Sequence, residues 1–249
     1  MNFIEFQKNK RRELMPSGEM LAKEAQQKFG KSYSLEKDQI QKNFNKYLKE
    51  LLELEFKIYK KYEKSCSEKI IKEAVQKKLL KSSGSFYKDL IANYDNIWNF
   101  FLSISQSRKT RAGGSFENHV KFLFERLDYP FDSQTFLNGR VDYVIPSESA
   151  FRKNRTACVV ISIKRTLRER WRQVIGELQS TRAGKIYILT ADNDISTSKV
   201  KEIKSHNVTL VVWDEYKNER FEDYHYVIGF SDFINIHLPS SRALWKSLI

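Results

Sequence analysis

Three ionisable residues stand where chemistry can be done. Asp142 sits near the start of the run Val141-Asp142-Tyr143-Val144-Ile145. Lys164 closes the run Ala157–Lys164 (ACVVISIK), and Glu177 follows thirteen positions later. A carboxylate, an ammonium and a second carboxylate gathered at one edge suit phosphodiester hydrolysis. Carboxylate oxygens bind the hard Mg²⁺ ion, which keeps several waters. The metal polarises a phosphate and lowers the pKa of a bound water. A lysine can hold the attacking water or offset charge that builds on the phosphorane-like transition state. By spacing alone the signal is weak, because an Asp near a strand start and a Lys at a strand end also recur as solvated ends.

The elements that must position these residues are legible from periodicity. Around residue 140 the apolar period changes from about 3.6 to 2. Val141–Ile145 and Ala157–Lys164 read as strands, joined across the loop Pro146–Thr156. If they pair antiparallel, Asp142 and Lys164 meet at one edge. Ser162 and Lys164 then share a face, with Val159, Ile161 and Ile163 on the other. A helix over Leu167–Thr181 places Glu177 between Val174 and Leu178, able to face the same edge. Lys185–Thr190 and Val208–Trp213 read as further strands, separated by a helix over Ser196–Lys204. Strands mixed with crossover helices predict an α/β core with a mixed sheet.

Upstream, Ile40, Phe44, Tyr47, Leu51, Leu54, Ile58 and Tyr62 recur at helical spacing from Ser34 to about Leu80, with Ser34 as a candidate N-cap. Lys81–Ser85 reads as a turn, and Leu90–Phe101 as an aromatic-rich helical segment. Ser107–Ser115 reads as a basic loop ending in Gly113-Gly114. The next helix carries its apolar face on Phe116, Val120, Leu123, Phe124 and Leu127. Residues 1–33 read as a basic, irregular arm with one short amphipathic piece. The expected organisation is a helical N-terminal region over 1–104, serving dimerisation or as a DNA arm, and a catalytic core over 105–249, together one compact unit.

Net charge is +13 over 249 residues, which permits a polyanionic partner. The distribution says more than the total. Arg152, Lys153, Arg155, Lys164, Arg165, Arg168, Arg170 and Arg172 crowd into a short stretch whose one acid is Glu169. Such a cluster can neutralise phosphates and release counterions. No run approaches the roughly 18 apolar residues of a membrane helix, and the mixed N-terminus predicts no secretory signal. Cys66 and Cys158 are the two cysteines, without ligand spacing, which fits a reducing cytoplasm. The four histidines are scattered and suggest neither a zinc site nor a nucleophile.

Asp142-Tyr143-Val144-Ile145-Pro146, then Ile161-Ser162-Ile163-Lys164, then Arg168-Glu169-Arg170-Trp171, then Glu177, resemble the type II restriction endonucleases of the PspGI, SsoII and EcoRII group. These belong to the NgoMIV-like branch of the PD-(D/E)XK nuclease superfamily. The resemblance runs over roughly Ser105 to Trp213. It implies an α/β PD-(D/E)XK core, a mixed central sheet flanked by helices, with a helical N-terminal extension. It also implies Mg²⁺ held by Asp142 and Glu177, and Glu117 as a further acid near the metal. Ser162 stands where most of the superfamily carries an acid, and Glu177 supplies that acid from the helix. Val141 stands where the superfamily name has proline.

The same resemblance implies that Arg168 and Glu169 read CC/GG steps, within sites of the CCNGG, CCWGG or CCGG type. Chemically, a guanidinium bonds guanine O6 and N7, and a carboxylate accepts from cytosine N4. The alternative for Glu169 is a first-turn acid favoured by the helix dipole. Gln106 matches the position that senses the central base pair. Arg108, Lys109 and Arg111 are expected on phosphates, Arg170 on the DNA, and Trp171 in the core rather than on DNA. The partners implied are double-stranded DNA, a second copy in a homodimer, and a cognate DNA methyltransferase of the same prokaryotic, cytoplasmic system. Two other readings remain: a DNA-binding regulator on a decayed nuclease fold, against which the intact Asp142, Lys164 and Glu177 speak, and a structure-specific nuclease, against which the Arg168-Glu169 pair speaks.

Overall fold

The computed structural model describes residues 2–137, 139–167 and 171–246. Backbone contacts divide the chain into two compact units, residues 1–29 with 51–115, and residues 30–50 with 116–249. Residues 30–50 group with the sheet, and the boundary near residue 115 falls inside a helix.

The first unit is helical. Residues 1–33, expected to be an irregular arm, form α1 (Phe3–Leu14) and α2 (Gly18–Gly30). The reason is local and tertiary at once. Asn2 Oδ1 accepts from the Glu5 N–H at 2.9 Å, closing a capping box that satisfies first-turn donors. Phe3, Phe6, Leu21 and Ala25 then bury in a core with Ile58, Ile70 and Phe100. α3 spans Lys37–Gln76, with non-helical angles at Asn43. There the side-chain amide donates to the Gln39 carbonyl at 2.9 Å, so the side chain competes for a helix acceptor. Ser34 is not the cap. Its hydroxyl accepts from the Glu36 N–H at 3.3 Å in the turn before the helix. Short α4 (Phe86–Ala92) precedes α5 (Tyr94–Phe124).

α5 corrects the loop expected at Ser107–Ser115, for the helix continues through Gly113 and Gly114. Each glycine costs roughly 0.5–1 kcal/mol in a helix interior. Anchors near them offset that cost. Arg111 donates to the Pro16 carbonyl at 2.8 Å, and the buried Ser115 hydroxyl donates to Glu55 at 2.8 Å.

The second unit is built on one sheet in the order β1-β2-β3-β4-β5-β6. β2 (Arg140–Ile145) pairs antiparallel with both β1 (Asp132–Phe136) and β3 (Val159–Lys164). β4 (Lys185–Thr190), β5 (Thr209–Val212) and β6 (Val227–Gly229) continue parallel to β3. The parallel steps are bridged by α7 (Trp171–Ser180), α8 (Thr197–Ser205) and α9 (Asp214–Arg220). The expected mixed sheet is therefore present.

The expected loop Pro146–Thr156 contains α6 (Glu148–Lys153), capped by the Ser147 hydroxyl, which accepts from the Ala150 N–H at 3.2 Å. One face of the sheet packs on the second half of α5. Phe124 lies 5.8 Å from the Tyr143 ring, and Phe116 6.3 Å from Trp213. Trp171 is buried, as expected of a core residue.

Candidate active site

The site forms where two strands part. The β2–β3 ladder pairs Ile145 with Val159, Val144 with Val160 and Tyr143 with Ile161. Beyond Tyr143 the carboxylate of Asp142 takes over. Its Oδ2 accepts the Ile163 N–H at 2.6 Å, the Ser162 hydroxyl at 3.0 Å and the Lys164 ammonium at 3.0 Å. A backbone donor of β3 is thus satisfied by a side chain instead of a facing carbonyl. β3 continues to Lys164 paired with β4 alone, opposite Thr190. Strand alternation puts Asp142, Ser162 and Lys164 on one face.

The burial of these groups is graded. Ser162 is buried, whereas the Asp142 side chain is 17 % and the Lys164 side chain 34 % exposed. Lys164 also donates to the Ile163 carbonyl at 3.1 Å, so its ammonium is held by two acceptors and keeps donor capacity toward solvent. Asp142 and Lys164, expected to meet at one strand edge, do so.

The next carboxylate comes from α5. Glu117 follows the fully buried Phe116, whose packing presents it to the sheet. Burial pushes the Glu117 carboxyl above its ordinary value, and the charge of Asp142 raises it further; Lys164 and Arg140 act in the opposite direction. Two carboxyl groups coupled to one ammonium are an oxygen-donor set. That fits a hard divalent cation held by one or two carboxylates and water.

Glu177 lies on α7, which packs against β2 and β3. Its Oε1 accepts from Gln173 at 2.9 Å. No hydrogen bond or ion pair joins it to Asp142 or Lys164 among the described residues. Its main chain is pressed on the β1–β2 turn: a Cβ on Gly139 would stand 2.4 Å from the Glu177 carbonyl oxygen, so only glycine fits there. Among the described residues no three His, Cys, Asp or Glu side chains form a metal cage.

The basic residues divide by partner. Arg108 holds Glu63, with Nε 2.8 Å from Oε1, and Tyr59 donates to the same carboxylate at 2.6 Å. Burial works against ionisation of Glu63, but these bonds outweigh it and leave its pKa lowered. Arg111 serves the Pro16 carbonyl, Arg152 pairs with Glu148 and Arg172 with Glu202. Gln106 and Lys109 are exposed on α5. Arg168, Glu169 and Arg170 lie outside the described residues. Sequence reasoning did not single out Arg140, whose place one alternation before Asp142 was the available signal.

A mixed sheet in which an acid-bearing strand parts from a lysine-bearing one is the arrangement expected of a PD-(D/E)XK nuclease core. A family profile described as EcoRII C terminal matches residues 59–234. The chain belongs to this family and is a type II restriction endonuclease of the group. It is 27 % identical over 206 residues to the type II restriction enzyme SsoII of Shigella sonnei, covering 78 % of this chain and 67 % of that protein. It is 29 % identical over 116 residues to the type II restriction enzyme EcoRII of Escherichia coli, covering 44 % of this chain and 28 % of that protein. Metal-depleted Ecl18kI in complex with uncleaved, modified DNA shares the fold at a TM-score of 0.85 and 24 % identity, over 99 % of this chain and 84 % of that one. The PspGI–substrate DNA complex aligns at 0.69 and 19 % identity, over 93 % of this chain and 94 % of that one.

Proposed function

We propose that this endonuclease binds duplex DNA and hydrolyses it, with Mg²⁺, at a short palindromic or pseudo-palindromic site of the CCNGG, CCWGG or CCGG type. The observation that carries the reading is the Asp142–Lys164 contact at 3.0 Å where β2 leaves β3, with the pKa of Glu117 raised by burial and then by the same aspartate. Asp142 and Glu177 would hold the metal, with Glu117 beside them. A bound Mg²⁺ polarises the phosphate and lowers the pKa of a coordinated water. The chain's own residues do the rest. Asp142 is locked in one rotamer by its three donors. Lys164 points a cation at the position where the phosphate gains charge. Arg168 and Glu169 read the G·C edges, and Gln106, Lys109 and Arg170 meet the backbone or central bases; Arg108 and Arg111, expected on phosphates, are instead engaged by Glu63 and the Pro16 carbonyl. A cytoplasmic prokaryotic setting with a cognate methyltransferase accompanies this activity.

A homodimer suits a two-fold site, one active centre per strand. An exposed apolar face supports it. Phe86, Tyr87, Tyr94, Trp98 and Phe101, on α4 and α5, are each at least 60 % exposed. At 150–250 Å² per ring this face offers on the order of 500–900 Å², against about 800 Å² per partner in an ordinary stable interface. Plasmid digestion with and without Mg²⁺, followed by sequencing of the ends, tests the function. Discrete fragments with CC/GG at the termini are expected; a smear or intact plasmid refutes it.

A further inference from the structure

Arg140 is the first residue of β2 and stands two positions before Asp142. Alternation along the strand puts both side chains on one face, about 7 Å apart along the chain. Yet their surroundings differ. Asp142 is held by three donors, whereas Arg140 is exposed and makes no side-chain hydrogen bond or ion pair with the described residues. Its cross-strand partner is Phe136, 75 % exposed and uncharged, so nothing opposite it neutralises the guanidinium. Its charge nevertheless reaches into the site, since it acts on Glu117.

The hairpin that carries Arg140 is held in place. Gly139 precedes it and sits so close to α7 that a Cβ would meet the Glu177 carbonyl oxygen at 2.4 Å and the Ser180 hydroxyl at 2.9 Å. The strand beyond is tied to β3 through Asp142. A guanidinium with five free donors is therefore mounted on a braced turn, on the catalytic face, beside carboxylates that repel a phosphate. Two carboxyl groups, Glu117 and Asp142, stand against the one ammonium of Lys164. A DNA strand entering this cleft needs a further cation close by, and guanidinium matches two phosphate oxygens at once.

We propose that Arg140 is a substrate-binding residue that grips a backbone phosphate of the strand being cut and seats that strand against Asp142 and Lys164. This rests on the DNA-cleaving function proposed above. Arg140 works through a fixed charge and needs no protein partner, in keeping with its having no side-chain hydrogen bond or ion pair among the described residues.

The test compares wild type, Arg140→Ala, Arg140→Lys and Arg140→Gln. Binding to a duplex carrying the cleavage site is measured without metal across a salt series, with single-turnover cleavage and thermal melting alongside. The slope of log K against log salt shrinks by about 0.9 for each phosphate that the protein ceases to neutralise. The alanine and glutamine variants should lose about one such step and cut at least tenfold more slowly at saturating enzyme. The lysine variant should keep the slope and lose part of the rate. Melting temperatures should match wild type, because the side chain holds nothing in the fold. A wild-type slope in both neutral variants overturns the proposal, whatever the rate does. Wild type that cuts while these slopes stay unchanged removes this inference alone. Wild type that neither binds nor cuts duplex DNA removes the parent reading and this one with it.

Discussion

Replacing Lys164 by methionine separates chemistry from stability, and the structure sets both magnitudes. The ammonium lies 3.0 Å from Asp142 Oδ2. At an effective dielectric of about 20 the gross attraction at that distance is about 5–6 kcal/mol, most of it offset by the desolvation of both groups. Removing one partner of a fully buried pair costs about 3–5 kcal/mol, and an exposed pair contributes about 0–1. With side chains 17 % and 34 % exposed, this pair falls between those limits.

Asp142 also keeps its bonds from Ser162 and Ile163 after the substitution. The loss should therefore be about 1–3 kcal/mol, a fall in Tm of roughly 3–10 °C for a chain of this length. Methionine preserves the aliphatic stem, so packing changes little. Cleavage should suffer more, since removing a donor aimed at developing charge costs about 10²–10³ in rate. Single-turnover digestion of a plasmid, a gel shift without metal and a thermal melt measure the three quantities. Binding should persist. A cleavage rate within threefold of wild type would refute the reasoning, for Lys164 would then be only a structural partner of Asp142. A fall in Tm beyond about 15 °C would refute it from the other side.

Glu117→Gln should stabilise the metal-free protein while slowing cleavage. Its carboxyl is raised in the folded state by burial and by Asp142. The folded protein therefore binds that proton more tightly than the unfolded chain, and stability from this group is lost as pH climbs from the ordinary value of 4.5 through the folded value. Melting curves across pH should show no advantage for the variant in acid and a growing one above; a constant offset would contradict this. Arg108→Ala should leave Glu63 without its guanidinium in a site where the residue is 8 % exposed, costing about 2–4 kcal/mol by urea unfolding. An unchanged midpoint would mean that the pair is not structural. Joint substitution of Trp98 and Phe101 by glutamate should halve the solution mass measured by light scattering if the α4–α5 face joins two copies, and a wild-type mass in the variant would place the interface elsewhere.

Local pattern determined much of this protein before any contact was known. Short apolar runs set β2, β3 and β4, and with them the shared face of Ser162 and Lys164, because side-chain direction in a strand follows from position alone. The Asp142–Lys164 meeting needed only the added premise of an antiparallel pair. β1 escaped notice because it is an exposed edge strand with one buried residue in five, so its side chains show no alternation. The loop expected at Gly113-Gly114 is a helix, because anchors distant in sequence outweigh the local preference of two glycines.

Tertiary structure alone decided which carboxylate feels which charge. Glu117 is 25 positions from Asp142 and feels its charge from a helix whose Phe116 packs against Trp213. Arg108 was legible as a charge but not as the clamp on Glu63, 45 positions away. Periodicity constrains the direction of a side chain relative to its own element, whereas burial and ion pairing depend on neighbours that only the packing of distant segments supplies.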